Sequence, residues 1–212
     1  MSEVSWGGKG TRTEDAKNRK RLLLLETAAQ MFNKVGFERT SLNDIANAFG
    51  ITKPSLYYYV KNKEDILYSI SKIALADLKN ALDSTRSGHA CGRGQLTEFL
   101  TEYIRLLQTD FGECLVTSNK MALSEKSRND LRDDRKAVDH AVRNIVNAGI
   151  EDGSLVTSSS KFSTYAVFGA INWMCYWHRG EAGFSDEEII DRFLEFFLKG
   201  LEPRHGEKKL DK

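Results

Sequence analysis

ITKPSLYYYVKNKED, residues 51–65, is the stretch that decides the fold. It sets three tyrosines in a row, Tyr57, Tyr58 and Tyr59, among Lys53, Lys61 and Lys63. A buried helix does not spend three hydroxyls side by side, and a solvated surface rarely carries three adjacent rings. Thr52 is a good N-cap, and Pro54 is tolerated just after it because first-turn N–H groups have no helical partner. Directly upstream, Leu42, Ile45, Ala46 and Phe49 form a helical stripe, opened by Ser41 with Asp44 three residues on and closed by Gly50. Only Gly50, Ile51 and Thr52 separate the two segments. Two short helices across a three-residue turn that begins with Gly make a helix-turn-helix.

Working outward, helical spacing recurs and strand signals are nearly absent. Leu22, Leu25, Ala29 and Phe32 form a stripe that Gly36 ends. Asn62 and Asp65 cap a helix carrying Ile66, Ile70, Ile73 and Ala74. The segment STRSGHACGRG, residues 84–94, has three glycines and no apolar period, and reads as a linker. Helices resume with Leu96, Phe99, Leu100, Tyr103 and Leu107. A long one runs through Leu131, Val138, Val142, Ile145 and Val146 to Gly149. The last two cover Phe162 to Trp177 and Ile189 to Leu201, the final one opened by a capping box of Ser185 and Glu188. The expected architecture is all-α. A flexible tail spans 1–16, a three-helix helix-turn-helix unit 17–63, a larger helical bundle 64–203 and a second flexible tail 204–212.

The bulk numbers narrow the function. The 31 basic and 30 acidic residues divide unevenly, 11 and 6 up to residue 63 against 20 and 24 after it. A basic front and an acidic back point to different partners. Three separated cysteines, Cys91, Cys114 and Cys175, fit neither a disulfide framework nor a zinc ribbon, and a reducing cytoplasm suits them. The longest mostly apolar run, Tyr165 to Trp177, is short of the roughly 20 residues a membrane span needs. A soluble cytoplasmic protein without a metal or cofactor is expected. No nucleophile elbow, P-loop, HExxH or dinucleotide fingerprint occurs, so an enzyme is not expected.

In a helix-turn-helix the second helix enters the major groove with its N-terminal residues leading. Thr52, Lys53 and Ser55 would then face base edges, since Ser and Thr donate or accept and Lys suits guanine acceptors. Tyrosine hydroxyls and Lys63 would reach phosphates, which position the protein and make affinity salt-dependent. Leu56, Val60 and at least one tyrosine belong to the core. The same shape also occurs in proteins that bind no DNA, so a helical interaction protein is the alternative at this point.

Residues 28–67, AAQMFNKVGFERTSLNDIANAFGITKPSLYYYVKNKEDIL, resemble the DNA-binding domain of the TetR (tetracycline-repressor-like) transcriptional regulators. The pattern is dense and ordered: A-x-x-x-F-x-x-x-G-F, T-S-x-x-x-I-A, G-I-T-K-P-S-L-Y-Y-Y-V, then N-K-E-D-I-L. The resemblance implies a homodimer on a palindromic double-stranded DNA operator. It implies that Thr40 and Ser41 touch phosphate, although both also suit a capping role. Asn43, Thr52, Lys53 and Ser55 would lie near bases or backbone, and Tyr57, Tyr58, Tyr59 and Lys63 at the DNA surface. Lys17, Arg19, Lys20 and Arg21 would add nonspecific attraction or form a solvated helix start.

The same resemblance implies that the back half serves dimerisation and ligand sensing. FSTYAVFGAINWMCYW and EEIIDRFLEFFLKGL are apolar on more than one face, so Phe162, Ile171, Phe193, Phe196 and Phe197 are expected at a twofold interface, with a monomer core as the alternative. Residues 121–201 are similar to a TetR subgroup that responds to acyl-CoA thioesters of fatty-acid or steroid-ring breakdown. That resemblance implies apolar walls from Trp173, Met174, Tyr176 and Trp177, and phosphate partners among Arg132, Arg135, Arg143 and Arg179. His140 and His178 read as structural.

Overall fold

Side-chain caps set most of the helix starts. In the computed structural model, which describes residues 9–88, 91–178 and 183–202, nine α-helices follow one another among the described residues. They are α1 (Lys9–Val35), α2 (Leu42–Phe49), α3 (Lys53–Leu56), α4 (Lys63–Gly88), α5 (Gly92–Gln108), α6 (Asp110–Thr117), α7 (Glu125–Glu151), α8 (Ser160–Met174) and α9 (Asp186–Gly200), with a 3₁₀ turn at Lys120–Ala122. Ser41 and Asp44 form the full capping box of α2, and Gly50 ends it with φ +75°. Thr52 caps α3, Asn62 accepts from the Asp65 N–H at 2.7 Å to open α4, and Ser185 with Glu188 boxes α9.

Two cores form. One gathers α1, α2, α3 and the first half of α4, from Leu24 to Leu75. The other gathers Leu78 and Leu82 of α4 with α5, the middle of α7, α8 and α9. The division differs from the expected boundary at residue 64. Cys114 and Leu115 of α6, Leu123, and Leu131 of α7 are buried in the first core. The helix α6 had no expectation in the sequence, because its eight residues, DFGECLVT, hold too little apolar period to stand out. Thr109 opens it by accepting from the Gly112 N–H at 3.1 Å.

Three further expectations are corrected. The α1 stripe is Leu24, Leu25, Ala28, Ala29 and Phe32, and Leu22 is 47% exposed. A run of four leucines offers two faces, and the small residues Ala28 and Ala29 decide which one packs. Residues 9–16 continue α1 instead of forming a tail. The glycine-rich segment is largely helical: α4 reaches Gly88 and α5 begins at Gly92. The expected tail 204–212 lies outside the described residues.

Polar contacts join α4 to α7 along the outside. Glu64 accepts from Ser124 N–H at 2.8 Å and Ser127 Oγ at 3.1 Å. Tyr68 Oη donates to Asp130 at 3.2 Å, and Lys72 and Lys79 both reach Asp134 at 2.5 Å. Burial alone would raise the Asp134 carboxyl, but the hydrogen bonds from the two lysines outweigh it and hold the group below its ordinary value.

A β-carbon at Gly112 would lie 2.0 Å from the Leu106 carbonyl oxygen, where α5 turns into α6. Gly112→Ala should therefore destabilise by about 1–3 kcal/mol and lower the melting temperature by roughly 4–10 °C in a thermal scan. Lys120 donates to the Cys114 carbonyl at 3.2 Å, and burial pushes its ammonium down to about 8 from 10.5. The folded state thus loses this proton first, so the strain of the buried charge is fully present below pH 8 and is relieved as pH rises towards 10.5. Urea unfolding should show the wild type gaining about 1–3 kcal/mol relative to Lys120→Met between pH 7 and pH 10.

Candidate functional site

The α2–turn–α3 unit presents a polar surface on a fixed base. Leu56 and Val60 are buried and anchor α3 and its C-terminal turn, while Thr52, Lys53 and Ser55 are exposed at its N-terminal end. The Thr52 and Ser55 hydroxyls lie 2.9 Å apart, so each is held by the other. Asn43 and Asn47 are exposed on α2. Asn47, Gly50, Ile51, Thr52 and Ser55 border a shallow concavity of about 500 Å³.

The tyrosines separate into roles. Tyr57 and Tyr58 are exposed, Tyr58 at 63%. Tyr59 is half-buried against the first core and meets Tyr58 edge to face at 5.2 Å. Lys17 of α1 sits 4.2 Å above the Tyr58 ring, a cation–π contact that brings α1 to the same surface. Arg21 donates to the Tyr59 carbonyl at 3.1 Å and to Ser69 Oγ at 2.7 Å, tying α1 to the turn after α3 and to α4.

A second site lies in the bundle. A cavity of about 410 Å³ opens between α4, α5, α6, α7 and α8. Its apolar walls come from Leu75 and Leu78 of α4, Tyr103 of α5, Leu115 and Val116 of α6, Val138 of α7, and Tyr165 and Phe168 of α8. Its polar groups are Arg132, Arg135, Lys136 and Asp139 of α7, and Asn172 of α8. The first three sit at helical spacing on one face of α7. Tyr103 packs edge to face on Phe168 at 5.2 Å and donates its hydroxyl to Asn172. Burial raises that phenol above its ordinary value, so it stays a donor. Burial likewise lowers Arg135, which donates to the Leu115 carbonyl of α6 at 3.2 Å.

The model of bacterial regulatory proteins of the tetR family matches residues 24–70, and that of the tetracyclin repressor-like C-terminal domain matches residues 91–201. The chain belongs to the TetR family. It is a DNA-binding transcriptional regulator, with the helix-turn-helix unit for the operator and the bundle for a small-molecule effector. The TetR-family regulator PfmR of Thermus thermophilus is 30% identical, with a TM-score of 0.76 over 85% of this chain and 99% of that one. The fatty acid metabolism regulator protein of Bacillus subtilis strain 168 is 21% identical over 188 residues, 87% of this chain and 97% of that protein. AibR, solved with isovaleryl coenzyme A and operator DNA, shares the fold at 21% identity, with a TM-score of 0.74 over 84% and 97% of the two chains.

Within this regulator several expected residues stand elsewhere. Thr40 is 1% exposed and its hydroxyl donates to the Gly36 carbonyl at 2.9 Å, so it builds the α1–α2 turn. Ser41 is exposed but its hydroxyl serves the α2 cap. Lys63 donates to the Phe37 and Glu38 carbonyls at 2.9 and 3.3 Å, so its ammonium pins the same turn. Among expected cavity residues, only Arg132 and Arg135 line it. Trp173 and Tyr176 are exposed, Met174 is core, and Trp177 is half-buried beside a separate cleft. Arg143 pairs with Asp139 behind the wall, and Arg179 lies outside the described residues. The walls sit one to three turns earlier, at Tyr165, Phe168 and Asn172. Tyr103, a lone hydroxyl inside an apolar stripe, was the one signal in the sequence for that placement, since a buried hydroxyl needs a partner.

The expected twofold interface also divides. Phe162 and Phe196 are each 74% exposed, Phe193 is half-buried, and Ile171 and Phe197 belong to the bundle core. Ile171 follows the inward phase of α8, set by Val167 and Met174. The exposed side of α8 carries Phe162, Tyr165, Ala166, Gly169, Ala170, Trp173 and Tyr176.

In fluorescence anisotropy titrations, Lys17→Ala should weaken operator and scrambled DNA alike and reduce the salt slope by about 1. Lys53→Ala should instead cost about 1–3 kcal/mol on the operator only.

Proposed function

We propose that the chain is a cytoplasmic repressor that binds its operator as a homodimer and is released by an acyl-CoA thioester. The observation that carries the effector class is the cavity. Its apolar and aromatic walls suit an acyl chain, and Arg132, Arg135 and Lys136 on one face of α7 suit the phosphates of a CoA head. Its volume of about 410 Å³ falls within the range of small-molecule sites. The isovaleryl coenzyme A held by AibR, and the fatty-acid role of the Bacillus subtilis relative, support the same class.

The exposed side of α8 supports the dimer. Large rings at both ends and the small residues Ala166, Gly169 and Ala170 between them make a face that another helix can approach closely. An apolar face of that kind on a regulator calls for a partner, and twofold pairing with a second copy covers it. Thr52, Lys53 and Ser55 are the proposed base-facing residues, with Lys17, Tyr57 and Tyr58 on phosphates.

Release requires the effector to bind the free and DNA-bound forms differently. The test is anisotropy of a labelled fragment from upstream of the protein's own gene, against a scrambled fragment, with isovaleryl-CoA, decanoyl-CoA, oleoyl-CoA or free CoA added. Tight binding to the native fragment only, and a rise of at least about tenfold in its Kd with one thioester but not with free CoA, is expected. Equal thioester affinity for free and DNA-bound protein would remove the proposal.

A further inference from the structure

The cavity and the DNA-binding unit share one short helix, α6. Leu115 lines the cavity with Val116, yet its side chain is buried in the first core with Cys114. The carbonyls at this end of α6 are held by two cations from outside the helix. Lys120 donates to the Cys114 carbonyl, and Arg135 to the Leu115 carbonyl, each at 3.2 Å. Three cations line the cavity, and among the described residues Arg135 alone is bonded to another helix. Arg132 and Lys136 pair loosely with Asp133 of their own helix, at 3.9 and 3.6 Å.

We propose that Arg135 is the residue that couples effector occupancy to DNA binding: in the free protein it latches the end of α6, and a bound anion draws it off. The inference rests on the effector reading above. A guanidinium donating to a carbonyl makes a single bond to a neutral acceptor. The same group facing a phosphate meets an opposite charge and can donate two parallel bonds at once. The anion therefore wins the donor and the Leu115 carbonyl loses its partner. The end of α6 is then freed against α1 and α4, on which the helix-turn-helix is built. Lys120 keeps its hold on Cys114, so the release is confined to the last turn of α6. The differential contact that an effector must have between two states is thus located in one bond.

The test compares wild type, Arg135→Met and Arg132→Met, all as full chains. Arg132→Met removes a cavity cation that does not touch α6. For each, decanoyl-CoA binding is measured by calorimetry, and operator Kd by anisotropy without and with saturating decanoyl-CoA. Backbone hydrogen exchange is followed over residues 110–123 without DNA. The wild type should show at least a tenfold rise in operator Kd at saturation. Arg132→Met should bind the thioester more weakly yet reach the same rise. Arg135→Met should still bind it at raised concentration but change operator Kd less than twofold. Its unliganded exchange over residues 114–118 should already be several-fold faster than that of the unliganded wild type, and equal to that of the liganded wild type. A full wild-type rise in Arg135→Met overturns the latch. If decanoyl-CoA does not bind wild type, the effector reading is what fails, and exchange alone decides the latch. Faster exchange over residues 114–118 in Arg135→Met, but not in Arg132→Met, supports it. Unchanged exchange overturns it.

Discussion

The constraint on which this structure depends is that α4 must satisfy two cores at once. Ile66, Leu67, Ile70, Ala74 and Leu75 pack with the helix-turn-helix unit, whereas Leu78 and Leu82 pack with the bundle. A packed helix is stiff, so it cannot slide at one end without disturbing the other. The Glu64, Tyr68, Lys72 and Lys79 contacts to α7 lie on the same helix and hold it from outside. Exposed pairs of this kind contribute little to stability. They are better understood as fixing where α4 leans, which is what a DNA-binding unit needs from its support.

The second helix with two duties is α6. Its apolar stripe is only Phe111, Cys114 and Leu115, yet it sits where α1, α4 and α5 converge and carries a wall of the cavity. Its ends are governed by single residues. Gly112 lets it turn tightly out of α5, and cations supplied by the 3₁₀ turn and α7 hold its last carbonyls.

Much of the fold was legible because its helix ends are marked by local chemistry. Ser41 with Asp44, Thr52, Asn62 with Asp65, and Ser185 with Glu188 all cap where their spacing predicts. The polar surface of α3 was legible for the same reason, since Thr52, Lys53, Ser55 and two of the three tyrosines are exposed. The exceptions share a physical cause. Thr40 and Lys63 carry the right chemistry for phosphate, and the fold brings backbone carbonyls to the Thr40 hydroxyl and to two of the three Lys63 donors. Trp173 and Tyr176 look like pocket walls in a one-dimensional string, but both are exposed and neither lines the cavity. Which face of α8 turns inward depends on its neighbours, and the smaller residues Val167 and Ile171 won that face. Helix α6 was illegible because much of its burial comes from α1 and α4, distant in sequence.

The brevity of α3 has a consequence for how such a regulator can change its target. Its four residues, Lys53 to Leu56, divide sharply by obligation. Leu56 is committed to the core and Pro54 to the helix start. Thr52, just ahead, must remain a residue that can cap. Lys53 carries no such duty, and Ser55 little more than its pairing with Thr52. A substitution at position 53 should therefore leave the folding equilibrium almost untouched. Any change at 52 is confined to the few side chains that still close the helix.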